Sequence, residues 1–362
     1  RLRRESPISK PSFNRSRRVH NQKNISSNRL LPSPGMVAAE YPLSRSTAAA
    51  VQENRRKLRA ILDGNSERLL VILGPCSIHH VESALQYAER LRELSRQVGS
   101  KIFIVMRVYF EKPRTTLGWK GLIYDPDING EYQIEKGILV ARKLLLQIAQ
   151  MGLPIATELL DPVSSSFFID AVTWAGIGAR TSESPTHRQM ASGLPCPVGF
   201  KNSTDGNLQP AIDALLSSRA CHSFIGVMKN GHIGLFRTKG NPYAHLVLRG
   251  GGGRTNYDPD SIAQTRERLQ RAGLASSPVV VDCSHGNSNR DYRNQRLAFE
   301  SVVAQRLAGE RCLKGVMLES YLREGKQPLR EGSTPAPDIS ITDACISWEE
   351  TESLILSACE RL

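Results

Sequence analysis

RLLVILGPCS (68–77) and KIFIVMRVYF (101–110) are short apolar runs without polar alternation, the first ending at Gly74-Pro75. Between them Val81, Ala84, Leu85, Ala88, Leu91 and Leu94 recur at three- and four-residue spacing, the stripe of an amphipathic helix. The same rhythm continues outward. Ile134, Ile138, Leu139, Leu145 and Ile148 mark another helix, closed by Gly152. Further apolar runs follow in LPIATELL (153–160), AGIGARTS (175–182), CPVGFKN (196–202), AHLVLRGG (244–251), SPVVVDCSH (277–285) and CLKGVMLES (312–320). Strands that are apolar throughout belong to a parallel sheet covered on both faces. Eight of them separated by helix-length segments predict an α/β fold, a (β/α)8 TIM barrel, rather than an open doubly wound sheet. HSFIGVMKNGHIGLFRT (222–238) breaks the rhythm: two β-rich stretches flank Asn230-Gly231, a strong hairpin signal, and predict a β-hairpin inserted near the sixth strand.

The 362 residues are 40% hydrophobic and 23% charged, a globular mix, and no apolar stretch reaches the roughly 18 residues of a membrane span. Seven cysteines are scattered, odd in number and never in a CxxC pair, a poor disulfide framework that fits a reducing compartment. The net charge of +13 is unevenly spread: residues 1–29 hold nine Lys or Arg against Glu5, which leaves +5 for the rest. That body carries no basic stripe with interleaved aromatics, so neither a nucleic-acid nor a membrane partner is expected. Residues 1–29 are expected to be a basic, disordered extension without the apolar core of a secretory signal. Residues 30–65 are then expected to form an N-terminal arm and 66–362 the barrel, with the cytoplasm as the default compartment.

In such a barrel chemistry sits at the C-terminal strand ends. The eight runs end in or just before Cys76, Arg107, Glu158, Arg180, Lys201, Arg249, His285 and Glu319. One ionisable residue there is usually a solvated terminus, whereas eight read as a single site. Arg107, Arg180, Lys201 and Arg249, with Lys112 and Arg114 from the loop FEKPRTT, crowd six cations around one mouth. Like charges so placed call for an anion, and Arg and Lys match carboxylate and phosphate. A small substrate with several negative groups is the expected guest. Cys76, His285, Glu319 and Asp343 offer sulfur, nitrogen and oxygen donors for a divalent transition metal. Taken singly, each has a plainer role: buried Cys, surface His, helix-capping Asp. Cys283 falls on the opposite side of its strand from His285.

GPCSIH, RVYFEKPRTTLGWKGLIYDPD, ATELLDP, GART, ASGL, CPVGFKN, TDG, LRGG, DCSHGNS, GVMLES and SITDACISWEET, running in order over about residues 30–358, resemble the type I 3-deoxy-D-arabino-heptulosonate 7-phosphate (DAHP) synthases. The resemblance implies a metal-dependent condensation of phosphoenolpyruvate with erythrose 4-phosphate, the first step of the shikimate pathway. It makes Cys76, His285, Glu319 and Asp343 ligands of one divalent ion, with Mn2+ first and Fe2+, Co2+ or Zn2+ as alternatives. It gives phosphoenolpyruvate to Arg107, Lys112, Arg180, Lys201 and Arg249, and the aldose phosphate to Arg114 and Thr115. Lys112 is the expected proton-transfer group, with His79 second and Glu158 as an organiser of water. An aromatic amino-acid inhibitor and a homo-oligomer, dimer or tetramer, are implied as well.

Three positions depart from the family pattern. His80 stands for an Asp, Ser203 for a Gly that would matter if it had positive φ, and Pro195 for a Ser in a segment tied to feedback inhibition. Competing readings are the related 3-deoxy-D-manno-octulosonate 8-phosphate synthases, against which KPRTT and SITDACISWE speak, a catalytically silent barrel, and a nucleic-acid-binding protein resting on the tail.

Overall fold

Eight strands close into a parallel barrel: β1 (Leu69–Gly74), β2 (Ile102–Arg107), β3 (Ile155–Glu158), β4 (Trp174–Ile177), β5 (Val198–Lys201), then β8 (Ala244–Leu248), β9 (Val279–Asp282) and β10 (Leu313–Glu319). Their spatial order is β1-β10-β9-β8-β5-β4-β3-β2, with β10 pairing back onto β1 from Leu70↔Gly315 to Gly74↔Glu319. The computed structural model describes residues 24–114, 117–330 and 334–362, so the expectation for the extreme N-terminus and that for Thr115 lie outside the described residues.

Each strand obeys a period of two. Leu70, Ile72, Phe103, Val105, Ala156, Trp174, Val247, Val280 and Met317 form one buried cluster inside the barrel. Their alternates Leu69, Val71, Leu73, Ile102, Ile104, Val279 and Val281 belong to the larger cluster packed beneath the surrounding helices. Room for the Trp174 ring comes from Gly199, where an added Cβ would lie 2.4 Å from Trp174 Cζ2. The Trp174 indole donates to His245 Nε2 at 3.0 Å.

Of the helices, α3 (Val81–Val98), α4 (Ile134–Gln150), α5 (Pro185–Ser192), α6 (Gln209–Arg219), α7 (Pro259–Arg271), α8 (Gln295–Leu307) and α9 (Trp348–Arg361) cover the outside. The stripe beginning at Val81 becomes α3, and its cap is His80, whose Nδ1 accepts from Ser83 N at 3.3 Å. One connection differs from the expected rhythm. Between β3 and β4 the chain makes only two 3-10 turns, Ser164–Phe167 and Ile169–Ala171. The reason is local: Ser164, Ser165 and Ser166 turn their hydroxyls back onto the carbonyls of Asp161, Pro162 and Val163, which competes with a regular helix.

Ahead of the barrel, α1 (Pro34–Glu40) and α2 (Arg45–Leu62) form the arm. Ser44 caps α2 through Thr47 N at 3.1 Å. Leu58, Ile61 and Leu62 of α2 join the barrel-interior cluster and stop its N-terminal end. Each such burial contributes roughly 1.5–3 kcal/mol. Two buried arginines fasten the arm: Arg55 donates to the carbonyls of Val172 and Ile169, and Arg142 links Tyr41 O to Phe167 O and Asp170.

The expected hairpin is β6 (Ser223–Val227) with β7 (Ile233–Arg237), antiparallel and outside the barrel between α6 and β8. Phe224 and Phe236 stack across it at 5.6 Å, Gly231 turns with φ +84°, and Lys229 O accepts from Gly35 N of α1. Among the described residues no helix is long and apolar enough to cross a membrane.

Candidate active site

The interior row that is apolar at the bottom of the barrel turns ionic at its top. Two residues beyond Val105 stands Arg107, beyond Ala156 Glu158, beyond Val247 Arg249, beyond Val280 Asp282, and beyond Met317 Glu319. Strand parity alone carries these side chains to the C-terminal end of the barrel interior, where Glu158 and Arg249 line one cavity and Arg107, Asp282 and Glu319 are buried behind it. That cavity, about 180 Å³, is lined by Lys112, Arg114, Glu158, Arg180, Lys201, Arg249, His285 and Asp343 among others. Two larger surface clefts, beside Tyr41 and beside Tyr292, lie away from the ring and collect no such cations around a donor cluster.

Arg107 is 1% exposed. Its Nη2 lies 3.2 Å from Glu319 Oε1, its Nε 3.5 Å from Pro75 O, and its Cζ 4.0 Å from the Tyr109 ring centroid. Nη1 is buried with no protein partner, which leaves a charged donor for an anion. Lys201 Nζ pairs with Asp282 Oδ2 at 2.8 Å. Arg249 is positioned through its backbone N, which donates to Asn202 Oδ1, while burial and then neighbouring cations hold its pKa below the ordinary arginine value. Burial also pulls the Lys112 ammonium down, but Cys76, Glu319 and Glu158 outweigh it and hold its pKa above the ordinary lysine value. Lys112 therefore carries its proton at neutral pH. Arg114 is exposed and donates through Nε to Trp119 O, and Arg180 is exposed.

The turn after β8 shapes the wall opposite Arg107. Gly250 to Gly253 all have φ between +57° and +156°. A Cβ on Gly251 would meet Gly206 N at 2.2 Å, so the tetraglycine is what lets this turn lie against the loop after β5. Ser203 in that loop is absent from the positive-φ residues, so no glycine is required there. Its hydroxyl donates to the Asp205 carboxylate and to Asn207 O.

Beside the cations, ligand atoms of Cys76, Glu319 and Asp343 lie within 4.8 Å of one another. Cys76 Sγ is 3.8 Å from Asp343 Oδ2 and accepts from Asp343 N at 3.4 Å. Ligands bound at about 2.0–2.3 Å in tetrahedral array stand roughly 3.3–3.8 Å apart, so the sulfur–carboxylate spacing and the S/O donor set fit a divalent transition metal. His285 is not one of that close group, though its Nε2 lies 4.0 Å from Glu319 Oε1. Its Nδ1 is 3.0 Å from Asp282 Oδ2, and its φ of +57° is unusual for a non-glycine residue. Burial, then the Glu319 charge, raises the Cys76 thiol to about 11, so a bound ion must displace its proton.

His79 stands against the loop that holds Ala336. It is buried, does not line the cavity, and engages Ala336 O through Nε2 at 3.2 Å. The adjoining contact, Ser77 Oγ with Thr342 Oγ1 at 2.7 Å, joins the same two loops. Cys283 is buried, with its thiol raised well above the ordinary range by burial and then by Asp282.

Asp282 and Glu111 escaped the sequence reading. Asp282 was available from parity with Val280. Burial opposes its ionisation, but Lys201 and His285 outweigh that and hold its carboxyl well below the ordinary range. Glu111 sits beside Lys112 yet points away from the cavity: Ser164 Oγ donates to its Oε2 at 3.0 Å, and burial raises it to about 7. Nothing in FEKPRTT distinguishes that glutamate from a solvated one.

Fold and site together define a (β/α)8 barrel enzyme for small, multiply anionic substrates, with a thiol, an imidazole and carboxylates gathered beside the binding cations. The model of the DAHP synthetase I family matches residues 42–355, and the chain belongs to that family. It is an enzyme of DAHP formation. The Tyr-sensitive phospho-2-dehydro-3-deoxyheptonate aldolase of Escherichia coli K12 is 48% identical over 336 residues, covering 92% of this chain and 94% of that protein. The Trp-sensitive counterpart of Escherichia coli O157:H7 is 48% identical over 325 residues, covering 90% and 93%. The solved phospho-2-dehydro-3-deoxyheptonate aldolase of Francisella tularensis SCHU S4 superposes with a TM-score of 0.90 at 39% identity, covering 93% of this chain and 98% of that one.

Proposed function

We propose that this site condenses phosphoenolpyruvate with D-erythrose 4-phosphate and water to give DAHP and inorganic phosphate. The observation that carries the reading is the buried Arg107, whose Nη1 has no protein partner and whose Nη2 pairs with Glu319 of the Cys76–Glu319–Asp343 cluster. Arg107, Lys112, Arg180, Lys201 and Arg249 hold the carboxylate and phosphate of phosphoenolpyruvate. Arg114 and Thr115 take the aldose phosphate. Two mutually repelling anions are thereby fixed in attack geometry, which removes most of the entropic cost of their encounter.

Cys76, His285, Glu319 and Asp343 hold one divalent ion, Mn2+ in the first instance and Fe2+, Co2+ or Zn2+ as alternatives, which supplies Lewis acidity toward the aldehyde oxygen. Carbon 3 of phosphoenolpyruvate attacks the aldehyde carbon, and protonated Lys112 delivers a proton to the oxygen as the bond forms. Positive charge develops at carbon 2, where water adds, with Glu158 as its orienting acceptor. Collapse of the phosphohemiketal expels inorganic phosphate into the cation ring. The reading assigns no proton to His79, whose Nε2 is engaged by Ala336 O.

An aromatic amino acid is the proposed feedback inhibitor, supported by the Tyr- and Trp-sensitive relatives, and a homo-oligomer the proposed assembly. The test is loss of phosphoenolpyruvate absorbance with erythrose 4-phosphate, with and without chelator. Turnover abolished by chelator and restored by Mn2+ supports the reading. Turnover with arabinose 5-phosphate instead, or none with any divalent ion, refutes it.

A further inference from the structure

One carboxylate serves both halves of this site without facing a substrate. Asp282 ends β9, is 0% exposed, and is not among the residues lining the cavity. Its Oδ2 lies 2.8 Å from Lys201 Nζ and 3.0 Å from His285 Nδ1. Its Oδ1 accepts from Ser284 Oγ at 2.7 Å and from Ser284 N at 3.1 Å. Ser284 thus donates to Oδ1, while Oδ2, which accepts no hydrogen bond, stands at ion-pair distance from Lys201 and His285.

We propose that Asp282 is a positioning residue that couples the metal ligand His285 to the phosphoenolpyruvate-binding cation Lys201. The inference rests on the reaction proposed above. An imidazole that ligates through Nε2 must keep its proton on Nδ1; Ser284 Oγ, 2.8 Å from Nδ1, passes its own proton to Asp282 Oδ1 and so accepts from Nδ1, and the Asp282 charge 3.0 Å away favours the same tautomer. His285 also sits at φ +57°, so its placement depends on contacts that hold the turn, and Asp282 is the charged one. On its other side the same oxygen fixes a lysine that is almost wholly buried and whose ammonium would otherwise lack a counter-charge. A shift of this carboxylate moves both groups together.

The test uses Asp282→Asn, which keeps the shape and removes the charge. Mn2+ is titrated into metal-stripped full-length protein, with the free ion followed by electron paramagnetic resonance. Phosphoenolpyruvate is titrated by calorimetry with and without Mn2+. The expected result is a loss of about 10- to 100-fold in Mn2+ affinity, the range for removal of a group that orients a metal-bound histidine. A loss in phosphoenolpyruvate affinity of at least tenfold should accompany it. The gain in phosphoenolpyruvate affinity that Mn2+ confers on the parent protein should also shrink. Unchanged affinities, or loss of one with the other intact, overturn the coupling role. Should Asp282→Asn fail to fold, Ser284→Ala is the second variant, since Ser284 Oγ touches both Asp282 Oδ1 and His285 Nδ1 at 2.7 and 2.8 Å. It is expected to weaken Mn2+ several-fold and to shrink the gain in phosphoenolpyruvate affinity that Mn2+ confers, and equal Mn2+ affinity or an undiminished gain in that variant overturns the proposal. A parent protein that binds neither Mn2+ nor phosphoenolpyruvate refutes the proposed reaction itself, an outcome distinct from parent-like behaviour of the variant.

Discussion

Replacing Arg107 by lysine separates what its charge does from what its shape does. In the structure the guanidinium divides its donors: Nη2 faces Glu319, Nε faces Pro75 O, and Nη1 is buried and unpartnered. A lysine ammonium can keep the Glu319 pair but cannot also present a second, fixed donor at the Nη1 position. What is lost is one charge-assisted hydrogen bond to phosphoenolpyruvate, about 1.5–3 kcal/mol. At 1.36 kcal/mol per factor of ten, kcat/KM for phosphoenolpyruvate should fall roughly 10- to 150-fold. KM for erythrose 4-phosphate should move little, because the proposed function gives that phosphate to Arg114 and Thr115 instead. Initial rates over a two-substrate grid, in saturating Mn2+, measure both. Because the charge is retained, urea unfolding of Arg107→Lys should stay near the parent. Arg107→Met leaves Glu319 buried without its partner and should cost the metal-stripped protein about 3–5 kcal/mol. A change in kcat/KM below about threefold, or one confined to erythrose 4-phosphate, would refute the assignment of Nη1 to phosphoenolpyruvate.

Two further outcomes are expected. Glu111 is raised by burial to about 7, so the fold favours its neutral form. The unfolded chain then binds fewer protons than the folded one between its ordinary carboxylate pKa and 7, and the stability it contributes, full below that ordinary value, is lost as pH rises to about 7. Glu111→Gln should flatten that decline and gain up to about 3 kcal/mol over the parent at pH 8, read from urea curves at pH 5 and pH 8; parallel pH profiles would contradict the raised carboxyl. Leu58→Ala opens space where α2 stops the barrel and should cost about 2–5 kcal/mol, seen as a lower Tm, with KM for both substrates unchanged because the cavity lies at the opposite end. A parent-like Tm would mean that α2 does not close the barrel floor.

The departures that stand out in sequence become ordinary once the backbone is known. His80 caps α3 through its imidazole nitrogen, a task the expected aspartate would perform with a carboxylate oxygen. Ser203 occupies no left-handed position and spends its hydroxyl on the loop, so the missing glycine carries no strain. Pro195 is exposed, and its carbonyl accepts from Arg59 Nη2 of α2 at 2.8 Å, which ties the arm to the segment expected to bear on feedback.

Hydrophobic periodicity is a local property, and what depends on it was legible before folding. Apolar runs of strand length alternating with helical stripes determined the barrel, Asn230-Gly231 determined the hairpin, and the ionisable residues that close each run determined which end does chemistry. The exception, the 3-10 link between β3 and β4, came from serine hydroxyls competing with the backbone, a choice periodicity does not record. Tertiary structure decided everything that depends on which groups meet across long sequence separations. Cys76 reaches Asp343 only because β1 closes against β10. Lys201 and His285 share Asp282 only because β5, β8 and β9 stand side by side, though 84 residues separate the lysine from the histidine. His79 was drawn under Ala336 rather than into the cavity, and Glu111 was turned inward to Ser164, because loop packing sets the direction of side chains that strand parity does not reach. The physical division is between side-chain period, which each residue carries with it, and burial and charge pairing, which exist only once the barrel has closed.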